Sequence, residues 1–216
     1  MTTTQSASLP LTAYAEAIAT VTALFGAPLE QSDLAALRLL PANSGPLAAL
    51  AGIDALRPGV ETAVKAVCDL PDIAQAESVL NTAFCRLFLG SGGPMSAPPY
   101  ESAYQGSGRL YQEPAGEMAL LLRRRGRGPA EDFPEAPDHL VIELSLLSEA
   151  LELAAASGNV DDTEVANELL ARLRRWVPDF AAACQMHDTT GFYAASAGVL
   201  ERLLNLPILG TASRAA

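Results

Sequence analysis

The stretch DHLVIELSLLSEALELAAA, Asp138 to Ala156, decides the fold. Its leucines Leu140, Leu144, Leu147 and Leu151 recur at i, i+4, i+7 and i+11, the spacing that gathers side chains on one face of an α-helix. Glu143, Glu149 and Glu152 are expected on the opposite, watered face. Gly158 and Asn159 then break the pattern. Nothing in this stretch alternates with period two, so a strand is excluded.

The same signature extends both ways along the chain. Ala and Leu dominate, β-branched residues are sparse, and Pro or Gly punctuates each periodic segment. Upstream, the spacing predicts helices over Leu11–Phe25, Ser32–Leu40, Pro46–Leu56 and Val60–Cys68. Another opens at Asp72 behind Pro71. That helix ends in NTAFCRLFLG, where Phe84, Leu87 and Phe88 at i, i+3 and i+4 form one apolar stripe before Gly90. A further helix covers Pro114–Arg125, with Met118, Leu121 and Leu122 inward. RRRGRG, Arg123 to Gly128, ends it as a solvated terminus, with Gly126 as cap. Downstream, helices are predicted over Asp161–Trp176, Pro178–Met186 and Thr190–Leu206, with a polar tail after Pro207. The carboxylates Asp161 and Asp162 sit where an N-terminal turn wants acids. The sum is an all-α chain, a single compact bundle of about ten helices with two long interruptions. One is a Pro- and Gly-rich loop from Gly90 to Gly108. The other is an acidic, hinge-like connector, residues 127–137. One domain, 1–216, is expected, with an N-terminal part over about 9–126 and a C-terminal part over 138–208.

Composition narrows the function. Of 216 residues, 50% are hydrophobic and only 18% charged, enough to bury a core and too apolar for a disordered chain. The 25 acidic residues outnumber the 14 basic ones, for a formal net charge of −11. That field repels nucleic acid and attracts cationic partners. No basic residue precedes Arg38, so a secretory n-region is not expected. No apolar run approaches the roughly 18 residues that span a bilayer. Cys68, Cys85 and Cys184 are odd in number, far apart and without a CxxC, as expected of buried thiols in a reducing cytoplasm. No metal or cofactor site is expected. The two histidines, His139 and His187, make no HExxH, and there is no GxSxG. GSGGP, Gly90 to Pro94, follows a helix rather than a strand, which argues against a phosphate loop. Ser102, His139 and Asp138 compose a hydrolytic set on paper. Adjacent residues of a helix point about 100° apart, however, so Asp138 is badly placed to orient His139.

Two stretches are more specific: FCRLFLGSGGPMSAPPYESAY, Phe84 to Tyr104, and EAPDHLVIEL, Glu135 to Leu144. Together they resemble the TorD/DmsD family of redox-enzyme maturation chaperones. In that family an (F/L)xG helix end leads through a Pro-rich loop to PP-aromatic-x-S-x-aromatic, and a Pro-containing D-H connector opens a Leu-rich helix. The resemblance follows helix order over most of the chain and is densest from Asn81 to Ala150. It implies a cytoplasmic, all-helical, non-enzymatic monomer or homodimer. Such a protein binds the twin-arginine signal peptide of a molybdenum-cofactor oxidoreductase, assists cofactor insertion and delays export. The family's peptide-binding positions fall on the stripe Phe84, Leu87 and Phe88 and on the loop residues Pro99, Tyr100, Ser102 and Tyr104. In the connector they fall on Pro137, Asp138 and His139. Two departures stand out: tyrosines replace the Trp of several relatives at Tyr100 and Tyr104, and Pro137 lies one place later than in their E-P-x-D-H.

Physically, such a peptide needs aromatic and aliphatic surface for its apolar stretch and carboxylates for its guanidinium groups. Glu101, Glu135 and Asp138 are the candidate acids, and Asp138 is also a candidate N-cap. Two alternatives stay open. One is a nitrate-reductase-type assembly chaperone that grips a non-exported N-terminal tail. The other is a small helical hydrolase using Ser102 or His139.

Overall fold

Amphipathic Ala- and Leu-rich segments form ten α-helices in this computed structural model, which describes residues 8–39, 46–105, 112–128 and 134–208. They are α1 (Leu11–Gly26), α2 (Gln31–Arg38), α3 (Pro46–Gly52), α4 (Arg57–Cys68), α5 (Ile73–Phe88), α6 (Glu101–Tyr104), α7 (Glu113–Arg124), α8 (Leu140–Ser157), α9 (Val160–His187) and α10 (Phe192–Leu204). Among the described residues there is no strand. Two isolated bridges occur, Leu9 with Ile208 and Tyr100 with His139. Parts of the expected loop, connector and termini, namely residues 1–7, 40–45, 106–111, 129–133 and 209–216, lie outside the described residues.

The Leu face of α8 packs on α1 and on α9, and α10 packs on α9 and on α4. The N-terminal and C-terminal parts of the chain thus share one core, in which Leu140, Leu144, Leu147 and Leu151 are buried as their spacing predicts. Long-range hydrogen bonds tie the layers. Tyr14 donates to the Leu203 carbonyl at 2.7 Å, and Ser148 donates to the Ala15 carbonyl at 3.0 Å. Gly59 lets α4 approach α10 closely, since a Cβ there would lie 2.6 Å from Val199 Cγ2. The stripe Phe84, Leu87 and Phe88 is core. Phe88 meets Phe25 edge-on at 5.7 Å and Tyr193 at 5.2 Å, ring centre to ring centre.

Several expectations are corrected. Residues 160–187 form one helix, not two, with Pro178 inside it. Pro178 lacks the N–H that would bond the Arg174 carbonyl. Its buried neighbours Trp176, Val177 and Phe180 hold the two halves in line. Cys68 is exposed rather than buried, because α4 turns Val60, Ala63 and Val67 inward instead; Cys85 is half-buried and Cys184 buried. The RRRGRG end is not merely solvated. Arg125 is only 18% exposed and pairs at 2.6 Å with the buried Asp162, leaving Asn159 as the N-cap of α9. Among the described residues no helix is long and apolar enough to cross a membrane, and no cluster of three His, Cys, Asp or Glu is placed to hold a metal.

Candidate functional site

The two motif-bearing stretches meet. After α5 the chain turns back sharply, and this explains the glycines of GSGGP. Gly92 donates its N–H to the Arg86 carbonyl at 3.1 Å, and a Cβ at Gly92 would stand 2.4 Å from that oxygen. The Ala97 N–H then bonds the Leu87 carbonyl at 2.8 Å. The glycines therefore close a turn on the end of α5.

Pro98 and Pro99 carry the chain to the connector through a tight turn, in which the Tyr100 N–H donates to the Pro98 carbonyl at 2.9 Å. There Leu140 N–H donates to the Pro99 carbonyl at 2.8 Å, and Glu101 N–H donates to the Asp138 carbonyl at 3.1 Å. These bonds frame the bridge between Tyr100 and His139, whose rings meet edge-on at 4.9 Å. The Tyr100 hydroxyl donates to Glu135 Oε2 at 2.5 Å. Thus PPY and EAPDH form one clamp of two bridged backbone segments and three side chains.

The one-turn helix α6 starts at this clamp. Its first amides need acceptors, and Asp138 supplies one from across the loop: Oδ2 accepts from the Ser102 N–H at 2.9 Å. Asp138 is fully buried and does not cap its own helix. That expected role falls to His139, whose Nδ1 accepts from the Val141 N–H at 3.1 Å. Burial lowers the His139 pKa to about 4, so its ring stays neutral and able to accept at ordinary pH. Ser102 Oγ is buried and finds no hydrogen-bond partner among the described residues, so the nucleophile–base contact of a hydrolase is not formed.

Glu101 is also inside, 2% exposed, and paired with Arg172 and, at 3.6 Å, with Arg175. Arg172 is the hub of a buried charge cluster that sequence reasoning missed. Its Nε reaches Glu143 Oε1 at 3.3 Å, its Nη1 reaches Glu117 Oε2 at 3.0 Å, and its Nη2 donates to the Pro114 carbonyl at 2.6 Å. Trp176 Nε1 donates to Glu143 Oε2 at 3.1 Å. One guanidinium thereby ties α6, α7, α8 and α9 together. Glu143, expected to face water, is completely buried. The signal was present in the sequence: Glu143 lies three residues after Leu140 and four before Leu147, within the apolar stripe. Arg172 likewise interrupts the run Leu169, Leu173, Trp176.

Tyr104 does not stand free in a groove either. Its ring stacks on Trp176 at 5.9 Å and meets Phe180 edge-on, and burial pushes its hydroxyl pKa well up. Of the expected site, then, Phe84, Leu87, Phe88, Pro99, Glu101, Ser102, Asp138 and His139 are buried. Tyr100, Tyr104, Glu135 and Pro137 remain partly exposed. Beside them opens a cleft of about 490 Å³ between α7, the connector and α8. Its apolar wall is Leu122, Val141, Ile142 and Leu146, with Glu135 and Pro137 at its rim. Arg127 and Glu149 pair across it at 2.5 Å. An apolar wall edged by an accessible carboxylate can hold an apolar peptide segment next to a cation.

The chain matches the model of the nitrate reductase delta subunit family over residues 53–182. It is 33% identical to the chaperone protein TorD of Vibrio parahaemolyticus over 183 residues, 82% of this chain and 84% of that one. It is 35% identical to the chaperone protein TorD of Escherichia coli O45:K1, over 66% of this chain and 67% of the relative. A solved structure from Archaeoglobus fulgidus, described as a redox enzyme maturation protein, shares its fold. That match has a TM-score of 0.56 and 22% identity, covering 88% of this chain and 93% of the other.

Proposed function

We propose, from the premise that this chain belongs to the TorD family of redox-enzyme maturation chaperones, that it binds the twin-arginine signal peptide of a molybdenum-cofactor oxidoreductase in the cytoplasm. In this reading it assists cofactor insertion into the apoenzyme and delays export, as a monomer or homodimer. The relatives it matches are named as chaperones, not as catalytic enzymes, and the hydrolase alternative is given up.

The observation that carries the reading is the cleft beside the clamp, where Glu135 stands at the rim of an apolar wall. Of the three acids considered for the peptide's arginines, Glu101 is committed to Arg172 and Asp138 to the Ser102 amide. Glu135 alone is partly exposed, and Tyr100 fixes its carboxylate. Pro99, Tyr100 and His139 position that carboxylate. Leu122, Val141 and Ile142 take the apolar stretch. Phe84, Leu87 and Phe88 support the loop from beneath. A second reading, a nitrate-reductase-type assembly chaperone for a non-exported tail, is favoured by the family model's description.

Calorimetry with a twin-arginine signal peptide tests the proposal. Burying two or three apolar side chains at roughly 1.5–3 kcal/mol each, less ordering costs, gives an affinity near micromolar, about −8 kcal/mol. Glu135→Gln should cost about 1–3 kcal/mol of it, the range for a hydrogen bond to a charged group. Changing the peptide's arginines to glutamine should remove that difference in a double-mutant cycle. Asp138→Asn, buried beneath the clamp, should weaken binding less. No binding of the twin-arginine peptide, with binding of a tail that lacks it, would select the second reading.

A further inference from the structure

On a chain of net charge −11, a cluster of arginines facing one groove is an exception that the signal-peptide reading does not use. The groove runs between α7 and α9 and encloses about 820 Å³. Arg123 and Arg124 from one wall and Arg172 and Arg175 from the other line it, against two acids, Glu117 and Glu168. Both acids are already matched, Glu117 by Arg172 at 3.0 Å and Glu168 by Arg124 at 3.3 Å. Among the described residues no carboxylate lies within ion-pair distance of Arg123. Among the described residues the Arg175 guanidinium pairs with Glu101 alone, at 3.6 Å, with its side chain 60% exposed. Between these cations Leu120 stands 60% exposed, one of the largest uncovered apolar side chains of the fold.

We propose that this groove docks a carboxylate-rich segment of polypeptide in which acids flank an apolar side chain. Arg172 is buried and spent on Glu101, Glu117 and Glu143, so the groove's available cations are Arg123 and the exposed forks of Arg124 and Arg175. Guanidinium forks match carboxylates in pairs, and these three favour an acidic partner. From Glu168 to Arg175 the helical wall extends roughly 10 Å, the reach of about three extended residues. Leu120, with Ala171 opposite, gives the middle one an apolar contact. Among the described residues no aromatic ring lines the groove, so they offer no platform on which a nucleobase would stack. The inference does not rest on the signal-peptide reading. It calls for the opposite charge, and among the described residues its groove shares only Arg123 with the cleft beside the clamp.

The test uses the full chain and a fluorescein-labelled peptide of repeated Glu-Leu-Glu, with Gln-Leu-Gln as control, read by anisotropy. The acidic peptide should bind, and the interaction should weaken steeply as sodium chloride is raised. Arg124→Gln with Arg175→Gln should weaken it by about tenfold or more, and Leu120→Ser should weaken it by about threefold. Circular dichroism should show the helices unchanged, since all three side chains are largely exposed. Titration with a twin-arginine peptide should be unaffected, which keeps the two proposals separable. Absence of binding, or binding that survives the arginine changes, overturns the inference. It is overturned equally if inorganic triphosphate displaces the peptide while Leu120→Ser is silent, which would make the groove a simple anion site. Self-association in sedimentation that Arg124→Gln abolishes, with no competition by the peptide, would assign the groove to a second copy of the chain.

Discussion

Replacing Glu143 by glutamine isolates the energetics of the buried charge cluster. Glu143 is completely buried, and burial raises its pKa from 4.5 to about 8 against the pull of Arg172 and of the Trp176 indole. A folded pKa above the unfolded one means that folding takes up a proton between those two values. The contribution of this group to stability is therefore full below about pH 4.5 and is lost as pH rises to about 8. At about 1.4 kcal/mol per pH unit, the window from 4.5 to about 8 amounts to about 5 kcal/mol, a large share of the net stability of a domain. Glutamine does not titrate there, and its carbonyl still accepts one of the two donors. His139 acts with the opposite sign, since its pKa is lowered from 6.5 to about 4, and it loses stability as pH falls through that range. It does so in both chains, so it cancels in the difference. Urea unfolding of wild type and Glu143→Gln from about pH 5 to 8.5 should show the wild type losing about 1.4 kcal/mol per pH unit relative to the variant, levelling off near pH 8. Parallel stability curves would refute the reasoning. They would mean that Arg172 keeps Glu143 ionised at every pH.

Arg172→Met should destabilise the fold by about 3–5 kcal/mol at neutral pH, because Glu101 keeps its burial without its nearest counter-charge and Glu143 loses the Arg172 Nε donor; a loss below about 1 kcal/mol in urea would deny Arg172 its role as hub. Leu87→Ala should cost about 2–5 kcal/mol and lower the melting temperature, since Leu87 is 1% exposed in the aromatic core; unchanged stability would return the stripe to the surface. Gly59→Ala should cost about 1–3 kcal/mol through its 2.6 Å approach to Val199, and Val199→Ala should recover much of that in the double variant. Non-recovery would place the strain elsewhere.

The helices were legible because their information is local. The spacing of Leu140, Leu144, Leu147 and Leu151 specifies both a helix and its inner face, and Asp72 with Pro71 marks a helix start wherever the rest of the chain goes. The family-like stretches were legible for the same reason, each being contiguous. The geometry of the site was not, because it depends on which polar group meets which across the fold. Asp138 has the form of an N-cap in sequence, yet it serves the amide of Ser102, 36 residues away, while His139 caps α8. Glu101 looked available to a cationic peptide until α9 brought Arg172 and Arg175 against it. Pro178 signals a break by its own chemistry, but burial of Trp176, Val177 and Phe180 on both sides outweighs the one missing hydrogen bond. Sequence by itself determined where the chain coils and which faces are apolar, since those follow from a residue and its neighbours within two turns. Tertiary structure alone decided which charges are spent inside and which remain to meet a partner, since a carboxylate's availability is set by desolvation and by a counter-ion that arrives from a distant helix.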